Sequence, residues 1–376
     1  MITKSVAEIN KYVGSSVNPM TTPDQIYELY SVPSFESGSP EIVSGADIGS
    51  TKVVVEDGDI LICKINPRIN RVWVVHHNTE YPLLASSEWI VVRNATMNSD
   101  YLKWYFSSPI FHTLLTSQVT GIGGSLTRAQ PKQVAKYPDP IPSRDGQDYV
   151  ATILTCIDNL IRKYQQCIIS IDQLVKSRFI ELFGDPVINP KGFPCYTVGE
   201  VIAFQGGSQP DKKYFEYEAS PDNIRLIQIR DYKSDKYITY IPKTMAKRFC
   251  TADDIMIGRY GPPIFQILKG IEGSFNVALM MATPKMGNRE FVRQLLKQDC
   301  QLEYLEGLSK RTAGQDGIQM DKLKAYPFPY PPMELQEQFA AFVEQTDKSK
   351  FYIVQMQILL RLLIRAIQQK TTEVLL

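Results

Sequence analysis

Five phrases of this sequence recur in the same order, about half a chain apart. SVAEINKYVG from Ser5 is echoed by TVGEVIAFQG from Thr197, and the polar stretch after each ends in proline, Pro19 and Pro210. YELYSV from Tyr27 returns as IRLIQI from Ile224, and DGDILICKINPR from Asp57 returns as ADDIMIGRYGPP from Ala252. YPDPIP from Tyr137 returns as YPFPYP from Tyr326. The offsets are 192, 191, 197, 195 and 189 residues in a chain of 376. Shared strand and turn propensity would not keep five matches in order with so little drift, so the pattern reads as a duplication. Each half must then fold into the same kind of module.

Within each half the grammar is also constant. Short β-branched and aromatic runs, such as TKVVVEDGDILICKI, EWIVVR and NIRLIQIRD, are broken by Gly, Pro, Asn and Asp and read as strands and turns. One or two helical stretches follow, then the proline phrase, then one long helix. The first long helix spans 146–183, with Ser143 or Asp145 to cap it and Gly184 and Pro186 to stop it. Its apolar stripe is Ile153, Ile157, Leu160, Tyr164, Ile168, Ile171, Val175 and Leu182, with Arg178 as an exception. The steps of three and four make a heptad seam. The second runs over about 332–369 with the stripe Phe339, Phe342, Thr346, Ser349, Ile353, Met356, Leu360, Leu363 and Ile367. Helices this long reach ~55 Å at about 1.5 Å per residue. Each needs a partner stripe, and the economical partner is its own duplicate, packed antiparallel.

The expected fold class is therefore α+β: two tandem α/β modules joined by two long antiparallel helices that form a coiled coil, with an internal pseudo-twofold repeat. The expected boundaries are 1–142 for the first module, 143–184 for the central helix, 185–330 for the second module and 331–376 for the C-terminal helix.

Several functions lack support in the residues. Hydrophobic content of 44% and charged content of 22% are those of an ordinary globular protein. No run of 18 apolar residues occurs, so no membrane span is expected, and the start MITKSVAEIN has no apolar signal core. Cys63, Cys156, Cys167, Cys195, Cys250 and Cys300 are scattered without a CxxC pair, which fits a reducing cytoplasm and no thiolate zinc site. The three histidines are His76, His77 and His112, too few and too scattered for a triad or metal site. GIGGSLTR from Gly121 lacks the lysine of a phosphate-binding loop. GPPIF from Gly261 lacks the Asn or Asp that adenine methyltransferases place before their Pro-Pro pair. Asp222, Asp231 and Lys233 loosely suit a metal-dependent nuclease, but the matching segment of the first half lacks them. No catalytic residue and no bound metal are expected.

What remains is recognition chemistry. CKINPRINRVW places Lys64, Asn66, Arg68, Asn70 and Arg71 close together. Asparagine suits adenine edges, and arginine forks onto guanine or holds phosphate. The second half offers Arg259 and Tyr260 in GRYGPPIFQ, and Arg230 and Lys233 in IRDYKSDK. A polar loop precedes each proline phrase, with Arg128 and Lys132 in one and Lys310 and Arg311 in the other. The net charge of +1 does not point to nucleic acid, yet a basic face offset elsewhere is compatible with it.

SVPSFESGSPEIVSGADIGSTK, DGDILICKINPRINRVW, SRFIELFGDPVINPKGF followed by TVGEV, and the twice-used proline phrase resemble the specificity (S) subunits of type I restriction-modification systems. The resemblance covers nearly the whole chain. It implies two target recognition domains, each reading half of a split, asymmetric double-stranded DNA site, with the two long helices setting the gap. It implies no catalysis and no cofactor of the chain's own, and a cytoplasmic location. The expected partners are two methyltransferase subunits using S-adenosylmethionine, and restriction and translocation subunits using ATP and magnesium. No base-contacting residue carries over from the resemblance, so the contacts named above rest on their chemistry and on the repeat. Two other readings remain at this stage: a metal-dependent nuclease, and a duplicated coiled-coil adaptor that does not bind DNA.

Overall fold

The computed structural model describes residues 2–120, 127–260, 265–300, 303 and 319–373. The chain divides into two compact units, Met1–Cys167 with Tyr352–Leu376, and Ile168–Phe351.

The first unit contains β1 (Ile2–Ser5), α1 (Val6–Ile9), β2 (Ser16–Val17), β3 (Ile26–Tyr30), β4 (Glu41–Ser44) and β5 (Lys52–Val54). It continues with β6 (Ile60–Cys63), β7 (Val72–Val74), β8 (Leu83–Ser86), β9 (Trp89–Val92), α2 (Ser99–Phe106) and α3 (Pro109–Ser117). β10 (Val119–Thr120), β11 (Arg128–Ala129), α4 (Pro131–Val134) and β12 (Pro138–Ile141) complete it before the long helix α5 (Arg144–Phe183). One sheet has the order β2-β5-β8-β3-β4, with β3 and β8 parallel, and another has the order β7-β6-β9. β1 pairs with β12.

The second unit contains β13 (Cys195–Thr197), α6 (Val198–Val201), β14 (Ile202–Gly206), β15 (Asn223–Ile227), β16 (Tyr240–Pro242) and β17 (Phe249–Cys250). Then come β18 (Ile255–Gly258), β19 (Gln266–Lys269), β20 (Gly273–Phe275), β21 (Leu279–Pro284), α7 (Arg289–Leu296), α8 (Met320–Ala325) and β22 (Pro327–Pro329). The long helix α9 (Met333–Glu373) follows. The sheets run β16-β15-β20-β17, with β15 and β20 parallel, and β14-β21-β18-β19, while β13 pairs with β22. The class is α+β.

The repeated phrases make the same structure twice. Ser5 and Thr197 each cap a one-turn helix in a capping box, with Glu8 and Glu200 reaching back. Asp59 and Asp254 each accept a backbone N–H three residues upstream, from Glu56 and Thr251, both at 2.8 Å, just before β6 and β18. Each proline phrase becomes the strand that pairs with its unit's first strand.

Ser143 caps α5, its Oγ accepting from Gly146 N at 3.3 Å, and Gly184 closes it in the left-handed region at φ +77°. Around the C-terminal part of α5, Phe179 and Phe183 form edge contacts with Phe339 at 5.6 and 5.3 Å. The Arg178 that interrupts the stripe stacks its guanidinium 6.0 Å from the Phe342 ring, which keeps the charge outside and the stem inside.

The seams depart from the sequence reading at three apolar positions. Ile153, Ile157, Tyr164, Ile168, Ile171, Phe342, Ile353 and Leu360 are half-buried, but Leu160, Met356 and Leu363 are exposed. Ile161 is buried in place of Leu160, and half-buried Gln357 and Ile364 replace the other two. Two adjacent apolar residues at 160 and 161 allow either count, and the buried Leu154 and Ile161 fix it. In α9 the buried or half-buried line runs through Gln336, Thr346, Lys350 and Gln357, so counting apolar residues misplaces it. Gln357 donates Nε2 to Ile161 O at 3.3 Å, and Gln368 donates to Trp104 O at 2.9 Å. Much of the apolar content of α9 therefore faces outward. By length and composition alone it is the one described helix apolar enough to span a membrane.

Candidate nucleic-acid interface

In the first unit two loops far apart in sequence meet. The turn between β6 and β7 carries Lys64 to Arg71, and the strand end at Thr127–Ala129 lies against it. Asn66 N donates to Thr127 O at 2.8 Å, and Ala129 N donates to Lys64 O at 2.8 Å. Ile65 and Arg128 form an isolated antiparallel bridge. Asn66 takes a left-handed conformation, φ +47°, which asparagine tolerates, and its carbonyl accepts from Ile69 N at 3.0 Å. The turn is buttressed from α3, where His112 Nε2 lies 2.9 Å from Pro67 O.

The proposed contact residues in this turn separate into two groups. Arg68 and Lys132 are exposed and Lys64 is half-buried. Arg128 holds Glu88 with two bonds at 3.2 and 3.3 Å, and that pair raises its already high pKa. Arg71 is 13% exposed and lies 3.4 Å from Glu36. Asn70 donates Nδ2 to Ser107 O at 3.0 Å, while its Oδ1 is buried without a partner. Asn70 and Arg71 thus spend their polar groups inside the protein, bracing the turn that presents Arg68. Sequence reasoning missed these braces, because Glu36, Ser107 and His112 lie 35 to 45 residues from their partners.

In the second unit the matching turn follows β18. Arg259 N donates to Ala278 O at 2.9 Å, and the guanidinium lies 5.4 Å from the ring of Tyr260, which is exposed. Arg230 and Lys233 are exposed on a 3₁₀ turn over Ile229–Tyr232. A Cβ on Gly258 would sit 2.9 Å from Ile229, so this turn packs beside the end of β18. Lys310 and Arg311 lie outside the described residues.

The loose nuclease set is not assembled for chemistry. Asp222 is exposed, whereas Asp231 is buried and its Oδ2 accepts from Gln228 N at 3.0 Å as a turn cap, 3.8 Å from Arg225. Burial raises its pKa, opposed by the Gln228 bond and by Arg225 and Arg230. No group of three or more His, Cys, Asp or Glu positioned for a metal occurs among the described residues.

Residues 190–362 match the family model of the Type I restriction modification DNA specificity domain. No curated protein matches the chain. Among solved structures, a chain from a type I R-M system studied for its complex assembly and conformational transition is 18% identical. The match covers 98% of this chain and 97% of that one, with a TM-score of 0.58. The S subunit of a type I restriction-modification system from M. genitalium is 11% identical over 98% of this chain and 95% of that one, with a TM-score of 0.55. The HsdS subunit from Thermoanaerobacter tengcongensis is 17% identical over 98% and 96%, with a TM-score of 0.42. At these identities the likeness to the first two, whose TM-scores exceed 0.5, is one of fold.

Proposed function

We propose, from the match of residues 190–362 to the type I restriction modification DNA specificity domain, that the chain is a non-catalytic, sequence-specific DNA-binding subunit of such a system. It reads a bipartite, asymmetric site in duplex DNA, one half with each unit, and directs adenine methylation and restriction by partner subunits. The observation that carries this reading is the strand-for-strand duplication. β3 to β9 of the first unit and β15 to β21 of the second share one topology, while the loops they present differ. Two alike frames with unlike loops suit two unlike half-sites.

The long helices act as an antiparallel coiled coil that spaces the half-sites. Contacts within each unit support this. In the first, Gln357 meets Ile161, and Leu154 and Gln368 line a common groove. In the second, Lys350 pairs with Asp172 while Phe339 meets Phe179, so one helix descends as the other ascends. Half-sites about one helical turn apart, roughly 10 bp centre to centre, fit such a ruler. Arg68, Lys64, Arg128 and Lys132 in the first unit, and Arg230, Lys233, Arg259 and Tyr260 in the second, hold phosphates or test base edges. Phosphate contacts fix register, and the loops carry the sequence information.

Two methyltransferase subunits dock on the helices. The exposed apolar residues Tyr352, Ile358, Leu359 and Leu362 of α9 support a surface covered by a partner. S-adenosylmethionine belongs to those subunits, and ATP and magnesium to the restriction subunits. The target adenine lies inside a duplex, so the methyltransferase must flip it out at a cost of about a few kcal/mol, which binding by this chain helps offset. The assembly works in the cytoplasm. Titrating duplex binding by the chain with its methyltransferase against salt tests the DNA reading. Affinity should fall steeply, with a log–log slope of about −0.9 per phosphate contact. A flat salt response, or no duplex binding, would reject it in favour of a protein-only adaptor.

A further inference from the structure

We propose that the second unit carries a pocket for one unstacked nucleotide of a DNA strand, walled by Tyr217, Tyr237 and Tyr240 and charged by Arg230 and Lys236. The proposal rests on the DNA-binding function above. The cavity has a volume of about 480 Å³, within the usual range for small-molecule and cofactor sites. Tyr217 is 73% and Tyr237 57% exposed, a poor use of two aromatic rings unless something stacks on them. Base–aromatic stacking tolerates any base, because every base has a π-face.

The frame around the cavity is fixed by hydrogen bonds while its lining stays open. Glu216 and Tyr240 exchange backbone hydrogen bonds at 2.9 and 2.8 Å, which lays the Tyr217 segment along β16. Thr239 is fully buried, and its Oγ1 accepts from Arg230 Nη2 and from Gln228 Nε2, each at 3.0 Å. Arg230 is thereby held by one edge of its guanidinium, with no ion-pair partner among the described residues. The Lys236 ammonium lies 5.1 Å from the centroid of its own neighbour, Tyr237, and likewise has no ion-pair partner among them. One acid lines the cavity, Asp235, and Arg225 neutralises it at 2.8 Å. Two cations without an ion pair among the described residues, beside aromatic walls, suit an aromatic base with an attached phosphate.

The duplication supplies an independent observation. Between β15 and β16 the chain reads QIRDYKSDKYIT, whereas between β3 and β4 it reads SVPSFESGSP, without a tyrosine or a basic residue. The fold therefore closes without this lining, and the second unit has added it.

Fluorescence anisotropy of the full chain with labelled (dT)₈ tests the pocket, using (dT)₈ paired to (dA)₈ as the stacked control and dTMP as competitor. Tyr217→Ala and Tyr237→Ala should each weaken (dT)₈ binding about ten-fold or more, while Tyr237→Phe keeps it. Arg230→Ala should reduce the salt slope by about one. The Tyr217 and Tyr237 variants should bind the paired control like the unmodified chain. Unchanged (dT)₈ binding in both alanine variants would overturn the pocket. Competition by dTMP at concentrations equal to those of (dT)₈ would overturn the DNA-strand source in favour of a free nucleotide. Failure of the chain with its methyltransferase to bind any long mixed-sequence duplex would sink the DNA-reading function itself, a result separable from failure of the pocket alone.

Discussion

Replacing Asp139 with asparagine should stabilise the first unit by an amount that grows with pH. Asp139 sits in β12, fully buried, and neither carboxylate oxygen has a hydrogen-bond partner. The neighbouring Tyr101 hydroxyl donates to Pro140 O at 2.6 Å and the Tyr105 hydroxyl donates to Pro138 O, so neither serves the carboxylate. Burial pushes its pKa up to about 8 from 3.8. The folded state therefore favours the protonated form. Its contribution to stability is fully present below the unfolded pKa and is lost as pH rises towards the folded one. One pKa unit is worth about 1.4 kcal/mol, so holding the carboxyl protonated costs the fold about 4 kcal/mol at pH 7. Asp139→Asn keeps the shape and cannot ionise. The stability difference between variant and parent should rise by about 1.4 kcal/mol per pH unit between about 5 and 7.5. The second unit supports the diagnosis, because the corresponding residue is Phe328, equally buried. Urea unfolding followed by tryptophan fluorescence is suited to the measurement, since Trp73, Trp89 and Trp104 all lie in the first unit. A difference that does not change with pH would refute the reasoning.

Three other outcomes are expected. Arg68→Ala should lower the salt slope of duplex binding by about one, whereas Arg71→Ala, whose guanidinium faces Glu36, should leave that slope unchanged; salt titrations of both variants check this. Phe339→Ala removes a ring packed against Phe179 and Phe183 and should cost about 3–5 kcal/mol, read by chemical denaturation. Deleting one heptad from both long helices shortens each by about 10 Å. At about 3.4 Å per base pair the gap between methylated half-sites should contract by about 3 bp, and an unchanged gap would reject the ruler.

The architecture was legible wherever the physics is local. The repeated phrases were legible as repeats. The capping boxes at Ser5 and Thr197 and the aspartate turns at Asp59 and Asp254 that they form rest on residues three apart, whereas the proline strands pair with the far end of each module. The apolar positions of the helix seams were legible except at Leu160, Met356 and Leu363, whose neighbours face inward instead. Gln357 and Lys350 occupy inward positions, because an amide reaching a carbonyl and an ammonium paired with Asp172 satisfy their polar groups there. Hydrophobic counting does not register such residues. The candidate site was least legible. Asn70 and Arg71 have the composition of base readers, yet distant partners turn them inward. The meeting of the Lys64 turn with Thr127–Ala129 depends on backbone bonds across about 60 residues, which no local pattern announces.

A modified-base map of DNA from cells expressing this chain with its neighbouring methyltransferase tests the central claim most directly. The expected result is methyladenine in both halves of one split motif, with unlike half-sites about one helical turn apart. Methylation confined to a single continuous motif would contradict it.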